Sequence, residues 1–177
     1  MAIYSPLRSR RLAAQQTEAT QRLITFRLGE ENFALPLDRV HKVTTLDRLY
    51  GDPGGTGVSL TTYQGRELVV IDVGHRIFGK MPQILPPTPK RGLGTIEARI
   101  DSNLVRYLVV FQPEPDRLVG LPIDSPPSIQ SLQISAFQPL PEIYRQHRNI
   151  HCVSALSIDT PDRPSLFLLD IASIVGS

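Results

Sequence analysis

Cysteine and tryptophan are nearly absent from this chain of 177 residues, which has one cysteine, Cys152, and no tryptophan. A single thiol cannot form an internal disulfide bond, so a disulfide-stapled secreted framework is excluded. A lone cysteine fits a reducing compartment, and we expect a cytoplasmic protein. Aromatic residues make up only 6% of the chain, which leaves few rings for stacking on nucleic-acid bases.

Long apolar stretches are lacking as well. The longest runs have four or five residues, as at 68–71 and 166–169, whereas a membrane-spanning helix needs about 20. No apolar stretch follows Arg8, Arg10 and Arg11, so we expect no secretory signal. The 19 Lys and Arg nearly balance the 17 Asp and Glu, and a net charge of +2 does not by itself indicate nucleic acid or acidic lipid.

Proline and glycine, in contrast, are plentiful, with 16 and 12 residues, and they separate short apolar stretches. This pattern predicts a mainly β protein with little helix. The predicted strands are Arg22–Leu28, Asn32–Leu37, Val58–Tyr63, Glu67–Asp72, Thr95–Ile100, Arg106–Phe111, Arg117–Ile123, Ile150–Ser157 and Ser165–Asp170. Leu7–Thr20 is a candidate helix without an apolar stripe, and Val73–Phe78 is a candidate single turn.

The first predicted strand shows the alternation that a half-buried strand needs. Ile24, Phe26 and Leu28 share one face, while Thr25 and Arg27 share the other. We therefore expect the first face to be buried and the second to be exposed to solvent.

An internal repeat organises the chain. Its three blocks occur in the same order in both halves: LITF at 23–26 corresponds to LVVF at 108–111, LPLD at 35–38 to LPID at 121–124, and LVVIDV at 68–73 to LFLLDI at 166–171. The repeat predicts two similar β subdomains related by a pseudo-twofold axis, with a groove between them. Closing each sheet on itself would also protect its edge strands.

The repeat divides the chain. We expect a flexible basic tail at 1–20, a first barrel at about 21–80, an exposed proline-rich linker at about 81–94 and a second barrel at about 95–176, with strands that can be exchanged between the barrels.

Chemical motifs are weak. His147, His151 and Cys152 lie close in sequence, but no Cys-x-x-Cys pair completes a zinc site, so we expect no metal ligands and no cofactor. Asp72 and Asp170 occupy equivalent places in the repeat, where each is expected to end a strand by accepting hydrogen bonds from backbone donors. The glycine-rich stretch at 51–57 lacks the Lys-Ser/Thr of a phosphate loop, and we expect no catalytic residues.

The blocks LITFRLGEENFALPLDRVHKV, GRELVVIDVGHRIFG, RLVGLPIDSPPSI and LFLLDIASIV together resemble the CheW-like domain, the adaptor module of bacterial chemosensory systems. The resemblance runs from about residue 22 to residue 175. It implies two five-stranded Src-homology-like barrels without catalytic activity. It also implies two partners, the cytoplasmic tip of a methyl-accepting chemoreceptor and a histidine kinase of the CheA type. In the family, the kinase contact is barrel to barrel, and a receptor helix lies in the groove between subdomains.

The resemblance also implies site residues. The groove strand corresponds to residues 38–43, where Val40 and Val43 would face a receptor helix and Lys42 stands where many members carry an acidic residue. In the block at 119–126, Gly120 and Pro126 are further groove candidates.

A second family block, which ends in Asn-Leu-Arg-Gly, should fall between Gly57 and Gly65. Here it is two residues longer, and Gln64 replaces the typical arginine, whose planar charged fork an amide does not reproduce. This departure suggests a variant array, for phototaxis or pilus motility.

A second hypothesis belongs to a different class of function. It is a small β-barrel protein that binds single-stranded nucleic acid through the basic N-terminal arm.

Overall fold

The computed structural model describes residues 19–52, 55–78, 97–99, 106–147, 150, 152–158 and 163–176, without the side chains of 97–99 and 145–147. The strands are β1 Thr20–Leu28, β2 Glu31–Pro36, β3 Val40–Thr45, β4 Arg48–Tyr50, β5 Val58–Tyr63, β6 Arg66–Ile71, β7 Glu97–Arg99, β8 Tyr107–Glu114, β9 Arg117–Ile123, β10 Ser128–Gln133, β11 Phe137–Pro139, β12 Val153–Ser157 and β13 Leu166–Leu169. The helices are α1 Val73–Phe78, α2 Glu142–His147 and α3 Ile171–Gly176, and two 3₁₀ turns lie at Leu37–Arg39 and Ile134–Ala136.

The strands form two sheets with the same internal plan. The first sheet has the order β10-β1-β2-β13-β12-β11, and the second has the order β3-β8-β9-β6-β5-β4-β7. In each, a central antiparallel hairpin, β1–β2 or β8–β9, pairs in parallel with a strand of the other half of the chain, β13 or β6. The prediction of a mainly β fold with two equivalent subdomains and little helix is confirmed. In the described part of the chain the sheets contain six and seven strands, where five each were expected.

Each sheet takes strands from both halves of the chain. The first sheet combines β1 and β2 with β10 to β13, and the second combines β3 to β6 with β7 to β9. The sheets therefore do not follow the division of the chain at 81–94. The linker itself and the N-terminal tail up to residue 18 lie outside the described residues, as does most of the candidate helix 7–20.

A central core fills the space between the two sheets. Its buried residues come from both central hairpins, from the parallel strands beside them and from α1 and α3. Leu35 and Leu121, the equivalent leucines of the repeat, are both 0% exposed and both belong to this core. The repeat thus places its two leucine hairpins against one shared core, and this joins the subdomains into a single folding unit.

Each sheet also curls around a small cluster of its own. In the first sheet, Leu132 from one edge and Phe137 from the other pack in the same cluster with Leu23, Ala34 and Leu166. In the second sheet, the corresponding cluster is Leu46, Leu49, Leu68, Val70, Leu108 and Val110. We call these the first-sheet cluster and the second-sheet cluster. The central strands are consequently buried on both faces, which explains why they read as continuous apolar runs.

The curl corrects one expectation about β1. Thr25 was predicted to face solvent, but it is only 5% exposed, because its face of β1 points into the curled first sheet. Its hydroxyl lies 2.8 Å from the Ser128 hydroxyl, so the buried polar group is hydrogen-bonded. Arg27 is exposed, as predicted.

The two equivalent aspartates perform the predicted structural role. After β6, the Asp72 carboxylate accepts a hydrogen bond from the His75 backbone N–H at 2.8 Å, at the start of α1. After β13, Asp170 accepts from the Ala172 N–H at 3.1 Å and from the Ser173 hydroxyl at 2.5 Å, at the start of α3. Both carboxylates satisfy backbone donors of the first helical turn, which otherwise lack partners. The predicted turn at 73–78 is confirmed as α1.

Gly57 holds the loop before β5 against α1 and should not tolerate a side chain. Its φ is +73°, and an added Cβ would lie 3.1 Å from His75 Cδ2 and 3.3 Å from the Asp72 carbonyl oxygen. We expect Gly57→Ala to lower the free energy of unfolding by more than the left-handed backbone alone costs, about 1–2 kcal/mol. Denaturant unfolding should show this loss.

Gly55 offers the matched control for that substitution. Its φ is +62°, but nothing lies within 4 Å of an added Cβ. Gly55→Ala therefore carries the backbone cost without the steric one, and we expect the smaller destabilisation. If both variants lost the same free energy of unfolding, the close approach of Gly57 to His75 and Asp72 would not contribute to the cost.

Candidate partner-binding site

The most prominent candidate surface is the edge formed by β3, at the junction of the two sheets. β3 is the first strand of the second sheet, and among the described strands it pairs on one side only, with β8. Val40 and Val43 are half-buried there and pack against the central core. They extend the core to the surface, so part of its apolar area remains available to a partner.

A bulge places the two valines on one face. Residues three apart in a regular strand point to opposite faces, but the register of β3 against β8 shifts between Val40 and Lys42. Val43 lies opposite Val109, which belongs to the central core. Lys42 lies opposite Val110, in the second-sheet cluster, and is exposed. Of the three predicted groove residues on β3, the structure thus brings Val40 and Val43 together and turns Lys42 away.

Gln64 lies at the tip of the β5–β6 hairpin, beside the start of β3. Gln64 and Gly65 have φ values of 51° and 75°, as in the two-residue hairpin turns that need left-handed backbone at both positions. The exposed Gln64 amide donates to the Tyr63 hydroxyl at 3.3 Å. The Tyr63 ring is 6.4 Å from the ring of His41, in an edge-to-face arrangement. A partner on β3 would therefore lie within reach of this turn.

The remaining predicted site residues lie elsewhere. Gly120 is buried inside the second sheet, where an added Cβ would be 2.9 Å from Leu108 Cδ1. It is a close-packing position, and the structure does not bring it together with Val40 and Val43 on the β3 edge. Pro126 is exposed, at the open end of the first sheet. Gly57 is buried against α1, as described above, and is separate from the turn at Gln64.

Sequence reasoning missed the counterpart of the β3 edge. β10 flanks the first hairpin as β3 flanks the second, because Ile129 lies opposite Ile24 just as Val43 lies opposite Val109. Ile129 is 57% exposed. The spacing of the repeat aligns Ile129 with Val43 and could have identified this position. The polar neighbours of Ile129, however, do not form the alternating pattern that predicts a strand.

The loop before β5 contains the clearest perturbed carboxyl group. Burial raises the pKa of Asp52, but hydrogen bonds from the Thr56 and Gly57 backbone N–H groups, at 2.6 and 2.8 Å, and the nearby His75 together lower that pKa below its usual value. Asp52 thus acts as an internal cap of its loop. These contacts order the loop between β4 and β5.

The predicted absence of a metal site concerns residues that are described only in part. Cys152 is buried, and desolvation raises the pKa of its thiol to about 11, so it is protonated at neutral pH and a poor ligand. His151 and the side chain of His147 lie outside the described residues. Within the described ranges, no three His, Cys, Asp or Glu side chains cluster as metal ligands do.

Fold and site together define a β protein made of two equivalent curled sheets, with an apolar strand edge where they meet. The helices of its described residues have six residues each, and none is long and apolar enough to cross a bilayer. The chain belongs to the CheW-like domain family, whose model matches residues 22–177.

A solved structure shows the same fold. The scaffolding protein TtCheW from Thermoanaerobacter tengcongensis superposes with a TM-score of 0.61 at 17% identity, covering 90% of this chain and 97% of that one. No curated protein matches the sequence. The family resemblance seen in the sequence is thereby confirmed.

Proposed function

We propose that this protein is a non-enzymatic adaptor of a chemosensory array, which links chemoreceptor tips to a histidine kinase of the CheA type. The observation that carries the proposal is the half-buried pair Val40 and Val43 on β3, in a chain that belongs to the CheW-like family. A receptor helix lying along this edge would cover both valines with its apolar stripe. The adaptor would work in the cytoplasm, at membrane-associated receptor arrays.

The kinase would use a different surface. The family resemblance implies that the kinase contact is barrel to barrel, with the kinase's own homologous domain. Each curled sheet encloses its own cluster, separate from the central core against which Val40 and Val43 pack. Separate surfaces would allow both partners to bind at once, which an adaptor requires.

The nucleic-acid alternative depends on Arg8, Arg10 and Arg11, which lie outside the described residues.

Binary titrations test the proposal directly. Isothermal titration of the full chain with a receptor-tip fragment, and separately with the regulatory domain of the kinase, should give saturable binding in both cases. Prior saturation with one partner should leave the affinity for the other unchanged within about twofold. Binding of neither partner, together with salt-dependent binding of a single-stranded oligonucleotide, would favour the alternative.

Gln64 provides a prediction about coupling. If the partner contact uses a guanidinium at this turn, Gln64→Arg should increase kinase activation in a reconstituted receptor–kinase assay, because the amide lacks the charged fork. Gln64 is exposed, and an arginine meets the same backbone cost at this positive φ as glutamine does, so the fold should be retained. Equal activation by both forms would remove Gln64 from the functional residues.

A further inference from the structure

A cavity opens at one end of the first sheet, away from the β3 edge. Its volume is about 480 Å³, within the range of small-ligand sites. It lies between β1, β10 and the segment that leads into β13. The polar and charged side chains that line it include Thr25, Arg27, Asn32, Ser128, Gln130 and Arg163.

The lining contains an ordered polar network. Gln130 Nε2 donates to Thr25 Oγ1 at 3.3 Å, and Thr25 Oγ1 is 2.8 Å from Ser128 Oγ and 3.3 Å from the Ser128 carbonyl oxygen. These side chains lie on the face of the first sheet that encloses its own cluster, where apolar residues would otherwise be expected. The network fixes the orientation of the hydroxyl and amide groups at the cavity.

The equivalent positions of the second sheet are built differently. Val110 occupies the place of Thr25, since it pairs with Gly120 as Thr25 pairs with Ala34. It is buried in the second-sheet cluster, against which Tyr63 also packs. The buried hydroxyl of Thr25 is therefore not required by the shared fold.

Within the described ranges, which leave out residues 159–162, the charged groups of the lining have one sign. They are Arg27 and Arg163, which are exposed, and none of the described lining residues is a carboxylate. The nearby Asp124 carboxylate accepts the Gly29 backbone N–H at 2.8 Å and lies outside the lining. Two guanidinium groups with neutral hydroxyl and amide donors form a setting that favours an anion with oxygen acceptors.

We propose that this cavity binds a carboxylate, held by Arg27 and Arg163 and oriented by the polar groups around Thr25. The carboxylate could come from a small organic acid or from a glutamate side chain of a bound peptide. The proposal does not depend on the adaptor function. It adds a ligand site on a face that the β3 surface does not use.

Titration of the ¹⁵N-labelled full chain, followed by NMR at constant ionic strength, tests the proposal. The probes are glutarate, the peptide acetyl-Glu-Glu-Glu-amide, and glutaramide as the neutral control. Carboxylate binding should produce saturable shifts of the Gln130 and Asn32 side-chain amides, whereas glutaramide should produce none. Tighter binding of glutarate would identify a free acid as the ligand, and tighter binding of the peptide would identify a protein side chain.

Variants separate a specific site from general charge attraction. Arg163→Gln and Arg27→Gln should each weaken binding at least fivefold, because each removes one guanidinium. Arg66→Gln, an exposed arginine on the second sheet, is the matched control and should leave binding unchanged. The proposal is overturned if neither acid gives saturable shifts, if glutaramide shifts the same amides, or if all three variants bind alike.

Discussion

Truncation of Leu35 or Leu121 to alanine is expected to lower the free energy of unfolding by about 2–5 kcal/mol in either case. Both side chains are fully buried in the same central core, so each truncation removes apolar burial and leaves a cavity. Because both sheets pack on that core, each variant should unfold in one transition at lower denaturant concentration. Urea unfolding followed by circular dichroism measures the effect.

Leu60 supplies the control for this experiment. It lies on β5 and is 38% exposed, so Leu60→Ala removes the same atoms from a site that remains in contact with water. We expect a loss well below that of the core variants. If Leu35→Ala and Leu121→Ala were no more destabilising than Leu60→Ala, the assignment of both leucines to a shared central core would be wrong.

Replacement of Val40 by aspartate is expected to weaken receptor binding at least tenfold. A charge at this position would have to be desolvated under a receptor helix, and an uncompensated buried polar group costs on the order of 1–3 kcal/mol. Since 1.4 kcal/mol corresponds to about tenfold in affinity, the loss should be readily measured by titration with a receptor-tip fragment. Kinase binding should persist, because we propose that the kinase contacts another surface.

Val40 also packs against the central core, so the variant needs a control for folding. His41→Asp places the same charge on the adjacent exposed residue of β3 and should leave receptor binding within about twofold. Val40→Thr keeps the shape of the side chain and should show an intermediate loss of affinity with the fold retained. Unchanged receptor affinity of folded Val40→Asp would rule out the β3 edge as the receptor surface.

Much of the fold could be predicted from the sequence, for identifiable physical reasons. The central strands have apolar runs bounded by Gly, Pro, Asn or Asp, and the repeat made their equivalence visible. β4, β10 and β11 were missed because they are short or polar. β10, for example, buries only Leu132 and carries exposed or partly exposed polar residues at most other positions. Its place in the sheet comes from pairing with β1, which no local pattern records.

The site was less predictable than the fold. Val40 and Val43 could be brought to one face only by the bulge in β3, and a bulge depends on the partner strand β8. Gly120 resembled a groove residue in sequence, yet the close approach of Leu108 makes it a packing position. The burial of Thr25 follows from the curl of the whole sheet, which residue alternation within one strand cannot reveal.

A co-sedimentation assay tests the central claim most directly. Receptor-containing membranes are incubated with the kinase in the presence and absence of the full chain, and the kinase in the pellet is measured. The account predicts that the kinase pellets with the membranes only when the chain is present, and that Val40→Asp abolishes this recruitment while His41→Asp retains it. Equal amounts of kinase in the pellet with and without the chain would contradict the adaptor function.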